Sequence, residues 1–167
     1  RAAGTTQLPA RCLVAATANP CPCGYFLDAE RRCRCTPAQV RNYLKRLSGP
    51  LVDRFPIHLE TGEPHDAAPA MTTEEARQRV QRARRHLEAT GYWEADALDR
   101  LELGVQRWRF SGRARVALRA LARTHAALDG RDAVTADDVD VALGYRVFDR
   151  SGWLEAAWDP QRPKHRS

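Results

Sequence analysis

The sequence predicts an α+β chain that is mostly helical: two short strands, a basic helix and a cysteine-rich knuckle within residues 1–60, then a four-helix bundle over residues 71–150. Three observations predict it. Residues 12–17 form a continuous apolar run closed by Asn19-Pro20, and four cysteines stand in two Cys-x-Cys pairs at Cys21/Cys23 and Cys33/Cys35. From residue 72 onward, apolar residues recur at helical spacing between Ser/Thr starts and Gly stops.

The 167 residues suffice for one ordinary domain or two small ones. A 43% apolar and 29% charged composition fits a packed core and argues against wholesale disorder. No apolar run approaches the roughly 20 residues that span a bilayer, and no secretory signal is visible. A cytoplasmic chain without a membrane partner is therefore expected. Arg1 is not a natural start and the single methionine is Met71, so a piece of a longer protein is expected as well.

The net charge of +6 is unevenly spread: residues 1–60 hold nine Lys/Arg against four Asp/Glu, whereas residues 61–150 hold fifteen of each. A basic surface in the first part would attract polyanions such as DNA through a salt-sensitive, sequence-independent attraction. An arginine-rich solvated face accounts for the same count.

Residues 1–11, with Gly4 and Pro9, read as a loop or the return arm of a hairpin. Cys12-Leu13-Val14-Ala15-Ala16-Thr17 then fits a strand buried on both faces, as in a parallel sheet. Pro20 ends it and biases Asn19 toward an extended conformation, which places Asn19 at the strand's C-terminal tip, the edge where open α/β sheets bind ligands. Cys12, inside the run, reads as a small buried hydrophobe.

Cys21, Cys23, Cys33 and Cys35 suit a tetrahedral, structural Zn²⁺ site, because two close thiolate pairs joined by a loop can fold back on one ion. The single intervening residue in each pair is tighter than usual. Gly24, Arg31, Arg32 and Arg34 would help a tight loop tolerate thiolate charge. Disulfides, which a reducing compartment disfavours, and plain reduced thiols are the alternatives.

Thr36-Pro37-Ala38-Gln39 opens a helix with an N-cap, a proline at the first position and a capping box. Val40, Tyr43, Leu44 and Leu47 form its buried stripe, with Arg41, Lys45 and Arg46 outside. Gly49-Pro50 stops it, Ile57 to Glu60 resume alternation as a second strand, and Arg54, behind the acidic Asp53, is placed to be held out from the body. Residues 61–70 read as a linker. Thr72 and Glu75 fall in the next capping-box stretch, ahead of an Ala76, Val80, Ala83, Leu87 face that Gly91 ends. A helix from about Glu94 carries Leu98, Leu101, Val105 and Trp108. Ser111 begins a third, with Ala114, Ala117, Leu118, Leu121, Ala122 and Leu128, closed by Gly130. Thr135 and Asp138 cap a fourth, with Val139, Ala142 and Leu143 inside. Arg113 sits in the first turn of the third helix, where the macrodipole disfavours a cation and an anion would be welcome. His86 and His125 read as surface or core-edge residues. Beyond Ser151, Trp153 and Trp158 are candidate anchors in an otherwise polar tail.

The run Ala-Asn-Pro-Cys-Pro-Cys-Gly-Tyr, then Arg-Cys-Arg-Cys-Thr-Pro-Ala-Gln, then Leu-Ser-Gly-Pro-Leu-Val-Asp-Arg, resembles the ComM/YifB-type magnesium-chelatase-like AAA+ ATPases. The resemblance is dense over residues 11–60 and looser over 72–148. It implies a hexameric ring ATPase using ATP and Mg²⁺ and acting on DNA, as a branch-migration helicase in natural transformation. Under it, residues 1–60 are the end of the AAA+ core and residues 71–150 the helical lid. Asn19 resembles sensor 1, Arg54 the arginine finger and Arg113 sensor 2, and Arg1 falls near the pre-sensor arm. Pro56 departs from the acidic residue usual after the finger, and the bundle is shorter than usual between Thr90 and Ser111. No Gly-x-x-x-x-Gly-Lys-Ser/Thr loop and no acidic Walker B cluster before Asn19 occur in the sequence, so the chain alone is expected neither to hydrolyse ATP nor to hold it tightly. A true chelatase motor and a non-enzymatic zinc-binding adaptor for DNA or a protein partner remain the competing readings.

Overall fold

A computed structural model of the chain describes residues 9, 12–26, 28, 30–47, 49–61 and 71–150, without the side chains of 149 and 150. The expectations for the N-terminal loop with Arg1, for the linker beyond residue 61 and for the Trp153/Trp158 tail lie outside the described residues.

The elements run α1 (Pro37–Leu44), α2 (Gly49–Val52), α3 (Thr73–His86), β1 (Tyr92–Trp93), α4 (Ala95–Trp108), α5 (Gly112–Leu128), β2 (Ala133–Val134), α6 (Ala136–Gly144) and α7 (Val147–Arg150). The mostly helical α+β reading stands. The strands are elsewhere than the apolar pattern suggested: β1 and β2 pair in parallel, Tyr92 with Ala133 and Trp93 with Val134, inside the helical part.

Local chemistry explains the helix starts. Thr36 Oγ1 accepts a hydrogen bond from the Gln39 N–H while Gln39 Oε1 accepts one from the Thr36 N–H, and Thr72 with Glu75 forms the same reciprocal box. Ser111 Oγ accepts from the Ala114 N–H at 3.0 Å, and Asp138 Oδ2 accepts from the Thr135 N–H at 2.9 Å. At the other end of α4, Arg109 adopts a left-handed conformation at φ 52° and reverses the chain into Phe110.

The core lies among α4, α5 and α6, where Ala97, Leu101, Leu118, Ala122, Val139, Ala142 and Leu143 are buried. The buried stripe of α5 is Ala114, Leu118, Ala122 and Ala126, a four-residue repeat of mostly alanine that lets α6 come close. Gly104 serves the same purpose on α4: a Cβ there would stand 2.9 Å from Leu143 Cδ2. Arg100 fastens α4 to α6 through a bidentate pair with Asp140, at 2.6 and 2.8 Å. Helix α3 is tied less apolarly, Arg79 reaching Asp129 at 3.0 Å and Arg123 donating to the Leu87 and Thr90 carbonyls.

Several expectations are corrected here. Residues 12–19 form no strand, and Leu13 and Val14 stand 96% and 62% exposed. An all-apolar strand needs neighbours on both edges and cover on both faces, and no described segment pairs with this one. Cys12 is accordingly exposed. Residues 57–60 form no strand either, and Ile57 and Leu59 are exposed. Gly49 and Pro50 do not merely stop a helix; they begin the turn α2. Helix α3 closes at His86, ahead of Gly91, with Val80 exposed. Leu98 is exposed on α4, and Ala97 and Gly104 take the inner positions instead.

Candidate functional site

The segment 49–61 carries Arg54 and is clamped onto the helical body by its neighbours. Asp53 turns inward and accepts from Ser111 Oγ at 2.7 Å, with the guanidinium groups of Arg113 and Arg146 each at 3.5 Å. Arg146 is fully buried and donates to the Phe55 carbonyl at 2.6 Å. His58 is also buried; its N–H donates to the Tyr145 carbonyl at 2.7 Å, and its ring packs 5.0 Å from Phe148.

With Asp53 facing in, the next side chain faces out. Arg54 is exposed and donates to the Pro50 carbonyl, a local contact to a neutral acceptor. It lines an open groove of about 570 Å³ together with Pro50, Asp53, Trp108, Arg109 and Arg113. Arg113 reaches this groove from the first turn of α5, with its side chain 58% exposed. The groove thus collects three guanidinium groups against the single carboxylate of Asp53 and sits at a helix N-terminus, a setting that favours a multiply charged anion.

The second feature is the cysteine knuckle. Cys21 Sγ lies 3.4 Å from Cys23 Sγ and 3.7 Å from Cys33 Sγ, Cys23 and Cys33 are 3.6 Å apart, and all four thiol sulfurs fall within 4.8 Å of one another. A tetrahedron with Zn–S bonds of about 2.3 Å has edges of about 3.8 Å, so the cluster is nearly the size the ion requires. The loop is shaped for it: Gly24 takes φ +85° and donates to the Cys21 carbonyl at 3.0 Å. The Cys35 N–H points at Cys33 Sγ over 3.4 Å.

The thiols are electrostatically unlike. The backbone N–H groups of Tyr25 and then Arg34 bring the Cys23 pKa down to about 6, whereas desolvation pushes Cys33 up to about 12 and Cys35 in the same direction. The apolar support is slight, with Cys21, Val40 and Leu44 the buried members of this cluster. So small a core ordinarily needs a covalent or metal cross-link to hold its shape.

Of the three phosphate-facing candidates, the structure brings Arg54 and Arg113 into one groove. Asn19 belongs to the other feature: it is exposed, directly precedes Pro20 and Cys21, and its Nδ2 lies 3.9 Å from where a Cβ on Gly24 would be. Sequence reasoning missed Arg109, Asp53 as a clamp, and Arg146. Arg109 gives no signal because a left-handed arginine is not written in periodicity. Arg146 has a weak one, an arginine three residues beyond Leu143, where the last apolar stripe ends.

Residues 1–68 match the family model described as magnesium chelatase, subunit ChlI, and residues 100–145 match that of the AAA lid domain. The chain belongs with the magnesium-chelatase-like AAA+ proteins. The relatives include the uncharacterized protein YifB of Escherichia coli, 30% identical over 171 residues, spanning 85% of this chain and 32% of that protein. Competence protein ComM of Haemophilus influenzae is 29% identical over 177 residues, 90% of this chain and 33% of its own length. An uncharacterized Mycobacterium tuberculosis protein is 34% identical over 113 residues, 65% of this chain and 19% of its own. The chain thus spans about a third of the length of the first two relatives. No solved structure matches it. In family terms, the ChlI match holds the knuckle and Arg54, and the lid match holds Arg109 and Arg113 and ends one residue before Arg146. No helix among the described residues is long and apolar enough to cross a membrane.

Proposed function

We propose that this chain forms part of a ring-shaped, ATP- and Mg²⁺-dependent motor of the ComM type that acts on DNA. In this reading residues 1–60 close the ATPase core and residues 71–150 are its lid. The observation that carries the proposal is the convergence of Arg54 and Arg113 on one exposed groove, at whose floor Asp53 grips the body through Ser111. Arg54 acts as the finger that reaches the nucleotide of an adjacent subunit in a hexamer, and Arg113 as the sensor on the lid. Both stabilise negative charge that develops on the transferred phosphoryl group. Asn19 orients the attacking water or the γ-phosphate. The four cysteines hold a structural Zn²⁺, which keeps the loop next to Asn19 in one conformation; a closed tetrathiolate shell leaves the ion no open position for chemistry.

The test is ATP turnover by the full-length protein. Arg54→Ala is expected to lower kcat by about a thousandfold, the scale of an arginine finger, without unfolding the chain. Turnover within twofold of wild type for both Arg54→Ala and Arg113→Ala would refute the assignment. Calorimetric titration of this chain alone is expected to show no micromolar ATP binding. The ChlI match favours a second reading, a motor that drives metal insertion into a porphyrin; stimulation of turnover by DNA separates the two.

A further inference from the structure

Above the thiols of the knuckle is an open cavity of about 1010 Å³, separate from the Arg54 groove, and its upper lining is Tyr25, Arg31, Arg32, Arg34 and Thr36. Among the described residues, no carboxylate lines it. Arg31 lies over the Tyr25 ring, its Cζ 5.4 Å from the centroid, and donates to the phenol oxygen at 3.2 Å. This contact holds the ring at the cavity wall, and Tyr25 remains 37% exposed. The basic surface continues onto α1: Arg31, Arg32, Arg34, Arg41, Lys45 and Arg46 are all exposed, and no Asp or Glu occurs between residues 31 and 46. Four thiolates around a divalent ion carry a charge of −2 and Asp28 with Glu30 in the same loop adds −2, which six cations still exceed.

We propose that this arginine rim grips the phosphate backbone of single-stranded nucleic acid, with Tyr25 as the platform on which a base stacks. The pairing of several guanidinium groups with an accessible aromatic ring is what sequence-independent single-strand binding requires. The proposal rests on the reading that nucleic acid is the motor's substrate, and it assigns the contact to the knuckle. The cross-linked loop keeps the arginines splayed around the cavity, so the thiol cluster acts here as a scaffold for recognition.

The experiment is fluorescence anisotropy of a labelled oligo-dT of about 20 nucleotides, titrated with the zinc-loaded 167-residue chain across a range of salt concentrations. Each lost phosphate contact lowers the slope of log K against log salt by about 0.7. Arg32→Ala/Arg34→Ala should therefore weaken binding about 25-fold at roughly 0.1 M salt and flatten the slope by about 1.4. Tyr25→Ala should weaken it about tenfold, the scale of one stacked base, with the salt slope unchanged. Arg32→Lys/Arg34→Lys should retain most of the affinity. Zinc content and far-UV circular dichroism of each variant separate a misfolded knuckle from a lost contact.

Unaltered dT binding in the double alanine variant, accompanied by loss of zinc, would overturn the proposal by showing that these arginines only neutralise the thiolates. Equal binding of a duplex of the same length, together with no effect of Tyr25→Ala, would overturn it as well. Because binding is read without ATP, its failure leaves the Arg54 groove assignment standing, and a failed turnover assay leaves the binding result intact.

Discussion

Asp53→Ala should detach the segment that carries Arg54 from the helical body, and the cost can be worked contact by contact. The Ser111 Oγ hydrogen bond at 2.7 Å is charge-assisted and contributes about 1.5 kcal/mol. The Arg113 pair spans 3.5 Å with the arginine 58% exposed, so it adds only a few tenths of a kcal/mol, as surface pairs do (about 0–1). The main effect falls on Arg146, which is fully buried with Asp53 Oδ1 at 3.5 Å. Removing one partner of a buried pair costs about 3–5 kcal/mol. Here the Phe55 carbonyl still accepts from Arg146, which brings the loss to roughly 2 kcal/mol, below the range for a fully stranded charge. The total is about 3–4 kcal/mol, and for a body of 60–100 residues each kcal/mol lowers Tm by about 4–8 °C. Thermal and urea unfolding of the chain followed by far-UV circular dichroism gives the number. A double-mutant cycle of Asp53→Ala with Arg146→Met should return a coupling of about 1.5–2 kcal/mol. A Tm within about 3 °C of wild type, less than one kcal/mol would produce, or a coupling near zero, would show that the segment docks by other means.

Three further outcomes follow from the packing. Asp138→Asn should cost about 3 kcal/mol, measured by urea unfolding, because Asp138 is completely buried and receives two 2.6 Å hydrogen bonds from Arg131 as well as a 2.6 Å contact with His125 Nδ1. Burial pushes the Asp138 pKa up, but Arg131, the Thr135 N–H and His125 together outweigh it and hold it well below the ordinary 3.8. A depressed native pKa gives stability that is complete above the unfolded value of about 3.9 and is lost as pH falls below it, so acid unfolding should begin below about pH 4 and be blunted in Asp138→Asn. Gly104→Ala gains about 1 kcal/mol of helix propensity but drives a methyl to 2.9 Å from Leu143 Cδ2; overpacking of about 1–3 kcal/mol makes the net effect destabilising by up to about 2 kcal/mol, and a stabilised variant would show that Leu143 yields freely. Protein purified without chelator should carry one zinc per chain, retained on dialysis and lost in Cys21→Ser together with protease resistance of residues 12–47.

The helices were legible because their signals are local. A threonine or serine three residues ahead of its partner in Thr36, Thr72, Ser111 and Thr135 states its own hydrogen bond, and the thiol pairs state their own proximity. The strands were not. Residues 12–17 have the composition of a buried strand, but composition cannot say whether a neighbour exists, and Leu13 and Val14 stand exposed. The true strands, Tyr92–Trp93 and Ala133–Val134, are two residues each and set no periodicity. Tertiary partners were equally hidden: nothing in Val52-Asp53-Arg54 says that the aspartate meets Ser111, Arg113 and Arg146 across the fold. What the order of residues did carry was an arginine set directly behind an acid, which marks a charged turn without saying which side chain meets the body.

The two arginine partners of Asp53 bear on how the groove would work. Arg146 and Arg113 both face Asp53 at 3.5 Å, yet the first is fully buried and the second mostly exposed. Their roles can therefore be separated by measurement. Arg113→Ala forfeits a screened surface pair and should shift stability by no more than about 0.5 kcal/mol, while removing one of the cations offered to an incoming phosphate. A multiply charged anion entering beside Arg54 and Arg109 competes for Arg113 against one carboxylate whose stronger partners are elsewhere, so the arginine can change partners without loosening the body. The expected signature in the full-length protein is a loss of turnover of tenfold or more in Arg113→Ala, about 1.4 kcal/mol of transition-state stabilisation, with an unchanged unfolding midpoint. If the midpoint falls in step with activity, Arg113 is a fastener like Arg146, and the groove is a seam between packed segments with no ligand to receive.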